Sequence, residues 1–252
     1  KIIKKYDNKF FTEKIVKLFD SLYSDNILKI FKNFNIKVII TYIDFIDALY
    51  DNLNIENDFM KDFDRNMLNK IHVKNIRRLN LNDNFIKLLL KYINQNITES
   101  SNNLNQLGIL VSSIENKELF GEMYKKLVVR RLITPKKVNI ENERLYLNKL
   151  IFKYEIDSAS RVFRILDDYT KSLQNTKEFV YINNINSRII NATYDMWDIK
   201  SSYYNFVNSK FDEQYKEFKS KFELYYNCRN ESKSLQWCDS LSTCLIIFEG
   251  NE

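Results

Sequence analysis

Residues 114–133 read IENKELFGEMYKKLVVRRLI, and the fold class turns on this stretch. Leu119, Phe120, Met123, Tyr124, Leu127 and Val128 recur at three- and four-residue spacing, which places them on one face of a helix. Asn116 stands where an N-cap accepts from free amides. Glu118 follows in the first turn, where negative charge meets the positive end of the helix dipole. Arg130 and Arg131 occupy the last turn, and Pro135 bars continuation two residues beyond Ile133. The stretch predicts a capped amphipathic helix with an apolar core face.

Composition points to the same class. Three glycines and one proline in 252 residues leave little turn punctuation, so long helices joined by Asn- and Ser-based loops are expected. That length allows one large or two small domains with a buried core. The abundance of Asn, Lys, Ile, Phe and Tyr reads as a bias of the source genome. Lys and Arg total 39 against 33 Asp and Glu, a net charge of +6 spread along the chain. This balance permits an acidic partner, whereas nucleic-acid binding calls for a sharper basic stripe.

Cys228, Cys238 and Cys244 are odd in number and irregular in spacing. They argue against a disulfide framework and for a reducing compartment, cytoplasm or nucleus. No apolar run reaches the ~20 residues of a membrane span, and no membrane partner is expected. Because the chain begins at Lys1 and not at Met, a further N-terminal segment is expected.

Upstream of 114–133, Phe11, Ile15, Leu18 and Leu22 mark a first helix. A long apolar segment from Ile27 to Leu49 is rich enough to be buried on two sides, with a break expected at Asn33–Asn35. Phe59, Phe63 and Met67 give a shorter helical face, His72–Asn84 a loop or short helix, and Phe85–Ile93 another helix. The polar run Asn94–Asn103 is a loop, followed by a helix over Leu104–Ser113.

Downstream, Leu145–Tyr154, Ala159–Tyr169 and Phe211–Tyr226 read as helices. Phe179–Ile190 holds Phe179, Tyr181, Ile185 and Ile189 at same-parity positions among β-branched neighbours, the pattern of a strand. Leu235–Cys238 and Thr243–Phe248 read as two short strands. The expected fold is mostly α, a helical bundle followed by a small α/β (α+β) domain with a short β-sheet.

Catalytic chemistry has little to work with. The lone His72 leaves no partner set for a metal cluster or a nucleophilic triad, and it reads as a surface or partly buried structural histidine. Gly108, Gly121 and Gly250 stand alone, so no phosphate-binding loop exists. Adjacent helix positions point apart, so Asp167 and Asp168 read as solvated carboxylates. Neither a cofactor nor a metal is expected, and the chain reads as a non-enzyme.

With catalysis set aside, the order of residue types in 114–133 resembles the signature helix of the cullin homology domain. Glu115, Lys117, Phe120, Tyr124, Leu127, Arg130, Arg131, Leu132 and Ile133 hold the marked positions, with Met123 in place of the more usual aromatic. Leu145–Tyr154 followed by SASRVFRILDD at 158–168 is similar to the paired helices after the signature. Near the end, 215–246 resembles the family's helix, loop and Leu-x-Trp strand, with Leu235 and Trp237 at the marked positions. Trp197 matches the Trp after the family's first strand.

The resemblance implies three sections. Residues 1–100 are the end of a helical stalk with the first bundle helices. Residues 101–175 are the rest of the four-helix bundle, and residues 176–252 are the α/β domain, incomplete at its C-terminus. It also implies a scaffold subunit of a ubiquitin ligase that docks a RING-box protein by strand addition. The platform for that docking would be Phe179, Tyr181, Trp197, Trp237 and Ile246, residues that read equally well as plain core. The RING subunit recruits the ubiquitin-conjugating enzyme, which Arg130, Arg131, Lys136 and Lys137 would steer through its acidic tail. The same four residues also read as a helix-end dipole complement and a solvated loop. A substrate adaptor would bind a stalk not seen here, and the lysine that accepts a ubiquitin-like modifier has no counterpart in this chain. The cullin-like subunit of the anaphase-promoting complex and a basic helical nucleic-acid-binding or adaptor protein are the alternatives.

Overall fold

Helix dominates the chain, as the near absence of its two strongest breakers predicts. The structure is a computed structural model and describes residues 8–31, 35–56, 63–79, 83–97, 103–134, 138–151, 153, 156–184, 188–199, 209–231 and 233–241. Its helices are α1 (Asn8–Leu22), α2 (Asp25–Phe31), α3 (Ile36–Glu56), α4 (Arg65–Arg77), α5 (Asp83–Asn96) and α6 (Leu104–Ser113). They continue with α7 (Lys117–Ile133), α8 (Ile140–Leu150), α9 (Ser158–Ile182), α10 (Tyr194–Trp197) and α11 (Ser209–Asn227). The chain divides into two units: Lys1–Leu127 with Asn139–Ser160, and Val128–Val138 with Arg161–Glu252.

In the first unit, α4 packs on α1 and α6, α6 on α3 and α8, and α3 on α5. Phe19 on α1 and Tyr23 just past its end are buried, while Leu18, placed on the core face by its spacing, is 54% exposed. Phe19 stacks on Phe63 with centroids 5.4 Å apart, and Tyr50 flanks both. Phe63 precedes its helix instead of lying within it. Asp64 is the N-cap, accepting from the Met67 amide at 2.8 Å, so α4 starts at Arg65. Of the stretch His72–Asn84, read as a loop or short helix, residues 72–77 continue α4, because Leu68, Ile71, His72, Asn75 and Ile76 form a buried helical stripe; 80–82 lie outside the described residues. Two polar members hide that stripe from a hydrophobicity pattern.

His72 is fully buried, which corrects its placement at or near the surface. Tyr23 Oη donates to Nδ1, and Nε2 donates to Asp47 Oδ1 at 3.4 Å. Both ring nitrogens are used structurally. Of the expected break at Asn33–Asn35, Asn35 is non-helical and 33–34 lie outside the described residues; α3 is buried on one side only, with Val38 and Phe45 41% and 52% exposed.

Asn116 caps α7, accepting from the Leu119 amide at 3.0 Å. Phe120, Tyr124, Val128 and Leu132 are fully buried along it. Gly121 and Lys125 are buried as well, so the enclosed surface is wider than one amphipathic stripe. Gly121 explains part of this. A Cβ there would stand 2.6 Å from Ile156 Cγ2 and closer still to Ser158 Oγ. Only a bare Cα lets the start of α9 approach this closely.

In the second unit, the expected strand over Phe179–Ile190 is not one. Residues 179–182 are the last turn of α9, Asn183 and Asn184 form a turn, and 185–187 lie outside the described residues. Helical spacing from Tyr169 through Ser172 and Thr176 to Phe179 keeps these four side chains buried on one face, and that packing overrides the β-branched run beside them. Leu235–Cys238 is non-helical with a bridge at Cys238 alone, and a 3-10 turn follows at Asp239–Leu241. Thr243–Phe248 lies outside the described residues. Among the described residues there is no β-strand, so the short sheet stays an expectation.

Candidate docking site

Polar side chains spaced four apart on α9 organise the site. Asp168, Ser172 and Thr176 lie on one line of the helix, and Ser172 and Thr176 are 2% and 3% exposed among apolar neighbours. Each bonds the backbone of residues 188–193, a run free of helix, turn and bend. Thr176 Oγ1 donates to the Ile189 carbonyl at 3.3 Å and to the Ser172 carbonyl at 2.9 Å. Ser172 Oγ accepts from the Asn191 amide, and Asp168 Oδ2 accepts from the Thr193 amide at 2.8 Å.

Residues 189, 191 and 193 therefore turn one backbone edge to α9. In an extended chain the intervening residues face the opposite way. Among the described residues the Ile190 and Ala192 backbone groups have no hydrogen-bond partner.

Both ends of the run are fixed. Arg188 donates to the Thr134 and Ile133 carbonyls, closing the free C-terminal end of α7, and to Tyr169 Oη at 3.1 Å. At the far end, Trp197 Nε1 donates to Asp168 Oδ2 at 2.8 Å from within α10. Asp168 thus holds two donors, which corrects its reading as a solvated carboxylate.

Behind the run lies an aromatic cluster joining α9 and α11. Phe179, Ile189 and Phe222 are buried at its centre, with Phe218, Tyr225, Leu235 and Trp237 packed around them. Phe179 meets Phe222 edge-on with centroids 5.1 Å apart, and Trp237 meets Phe222 at 5.8 Å. Trp237 Nε1 donates to Glu223 Oε1 at 2.6 Å. Lys219 lies over the Tyr215 and Trp237 rings at 4.5 and 5.4 Å and pairs at 2.6 Å with the buried Asp239. Tyr215 Oη donates to the same carboxylate at 2.9 Å.

Of the expected platform residues, the structure brings Phe179 and Trp237 into one cluster. Trp197 is buried on the Asp168 side of the run. Tyr181 is 85% exposed at the end of α9, and Ile246 lies outside the described residues. In the basic group, Arg130 is exposed, Arg131 is half-buried, and Lys136 and Lys137 lie outside the described residues. Asp168, Ser172 and Thr176 escaped the sequence pattern, although their i, i+4, i+8 spacing inside an apolar helix is a visible signal. No helix of the described residues is long and apolar enough to cross a membrane, and no group of metal-ligating side chains occurs among them.

Fold and site together define a helical protein in which side chains of one helix hold a non-helical segment by its backbone. Its similarities are to cullins. Over 149 residues the chain is 22% identical to cullin-4 of Dictyostelium discoideum, covering 57% of this chain and 18% of that protein. Over 148 residues it is 28% identical to cullin-1 of Oryza sativa subsp. japonica, covering 57% of this chain and 20% of that protein. The matched stretch is about a fifth of the length of these curated relatives. No protein-family profile matches the chain.

Proposed function

We propose that this chain is a non-catalytic scaffold subunit of a cullin-RING-type ubiquitin ligase, docking a RING-box protein by strand addition. The observation that carries this reading is that α9 bonds the backbone at 189, 191 and 193 and leaves the Ile190 and Ala192 backbone groups without hydrogen-bond partners among the described residues. An extended partner segment would gain its affinity from main-chain hydrogen bonds to that edge and its register from alternate side chains. The similarity to two cullins supports the same class of partner. Phe179 and Trp237 share a cluster with Ile189, Trp197 shares Asp168 with the Thr193 amide, and Tyr181 is exposed at the end of α9.

In this reading the three sections 1–100, 101–175 and 176–252 are stalk end, bundle and α/β domain. The RING subunit brings the ubiquitin-conjugating enzyme, and Arg130, Arg131, Lys136 and Lys137 attract its acidic tail. A substrate adaptor engages a stalk elsewhere in the protein, and the complex works in the cytoplasm or nucleus. Isothermal titration of the chain with a purified RING-box protein tests the reading. Saturable binding that Ala192→Pro weakens tenfold or more is expected, because proline removes one edge donor. No binding by the folded chain overturns it.

A further inference from the structure

Two buried hydroxyls, Ser172 and Thr176, and the half-buried Asp168 carboxylate stand at four-residue intervals on α9, an odd choice for the face of a helix that packs against apolar side chains. At 162, 165, 166, 169 and 179, α9 buries Val, Ile, Leu, Tyr and Phe. Alanine or valine, close in size to serine and threonine, would carry no polar group into that face. A polar group there is penalised by desolvation unless it is bonded, and what bonds Ser172, Thr176 and Asp168 is the backbone at 189, 191 and 193.

Geometry explains the spacing. Four residues of α-helix advance about 6.0 Å, and two residues of extended chain advance about 6.7 Å. An i, i+4, i+8 ladder on a helix therefore meets every second residue of an antiparallel extended segment. The pairs run 168 with 193, 172 with 191 and 176 with 189, which is the antiparallel order. In this way α9 does for one edge of the segment what a neighbouring strand does in a sheet.

We infer that Asp168, Ser172 and Thr176 are positioning residues for partner docking: they hold 189–193 as a pre-straightened edge strand whose free side, Ile190 and Ala192, sets the register of an incoming extended segment. This rests on the strand-addition reading above. The ladder never touches the partner. It acts by removing in advance the ordering cost that a floppy acceptor segment would pay on binding.

The test uses the 252-residue chain, a purified RING-box protein and amide hydrogen exchange of the free chain. With Ser172→Ala plus Thr176→Val, exchange at Asn191 is expected to accelerate and RING-box affinity to fall tenfold or more. Ser172→Thr, which keeps the hydroxyl, is expected to retain both properties. Thr193→Pro supplies a variant that leaves α9 untouched. Its φ of −72° already suits proline, which removes the donor to Asp168 and sets its ring Cδ against that carboxylate. The same loss of affinity is expected from it, so a failure of the double variant to fold leaves the test in place. Faster exchange with unchanged affinity overturns the inference and reduces the ladder to a structural strut. Unchanged exchange overturns it too. Failure of the unaltered chain to bind overturns both this inference and the strand-addition reading, whereas normal binding by every variant overturns the inference alone.

Discussion

Trp197 donates its indole N–H to Asp168 at 2.8 Å across 29 residues of chain, and the same carboxylate oxygen accepts the Thr193 amide. One side chain on α9 therefore fixes both the end of the extended run and the ring that follows it.

Asp168→Ala leaves the buried indole donor without an acceptor, and such orphaned groups cost about 1–3 kcal/mol. Urea unfolding followed by Trp fluorescence is expected to show a loss of that order. Asp168→Asn keeps an acceptor oxygen and is expected to lose clearly less. Equal losses from the two variants refute the shared-acceptor account.

At Gly121 two effects oppose each other. Alanine gains about 1 kcal/mol in helix propensity, but overpacking a tight contact costs typically about 1–3 kcal/mol. Here the new methyl group collides with Ile156 and Ser158, so Gly121→Ala is expected to lower Tm. Ser158 Oγ is buried without a hydrogen-bond partner among the described residues. Ser158→Ala on its own is therefore expected to be neutral or mildly stabilising, and in the double variant to recover part of the loss. A thermal melt of all three settles the matter.

Alkaline stability should report Tyr23. Burial, with Tyr42 and Asp47 nearby, pushes its phenol far above its ordinary value of 10.0. The folded state holds this proton more tightly than the unfolded chain does, so its contribution is intact below pH 10 and declines above it. Tyr23→Phe is expected to flatten the stability profile above pH 10 while losing the hydrogen bond to His72 at neutral pH. An unchanged alkaline slope counts against the assignment.

Acid has the opposite effect at Asp20. The Lys74 ammonium bonded at 2.7 Å, opposed by partial burial and aided by Asn75, holds its carboxyl below 3.8. That contribution is present above pH 3.8 and fades as the pH falls through the lowered value. Lys74→Met is expected to reduce the acid sensitivity of unfolding, and raised salt should reduce it too, since both groups are partly exposed.

Regular apolar periodicity was legible; polar members of buried stripes were not. The helices over 104–113, 117–133 and 209–227 follow from the spacing of their apolar residues. His72, Asn75, Ser172 and Thr176 are buried because of what they bond, and a sequence shows the hydroxyl or amide without showing its partner. At the end of α9, Val180, Tyr181 and Ile182 look like strand, while the residue that decides the conformation is Phe179, packed edge-on against Phe222. Trp197 stood out as a residue of interest. Its acceptor lies 29 residues upstream, beside a carboxylate of the same type, and nothing local distinguishes Asp168 from Asp167.

The pairing between helix and extended chain carries its own length limit. Each rung leaves the two repeats about 0.7 Å out of step, so the error reaches about 1.4 Å at the third contact and about 2 Å at a fourth. A hydrogen bond does not stretch that far. Like a vernier, the two scales coincide over a short interval and then part. The segment has to leave α9 after Thr193, and there the chain turns into α10. Inserting one residue between 189 and 193 would carry Ile190 or Ala192 over to the helix side, exchanging the open edge for the bound one.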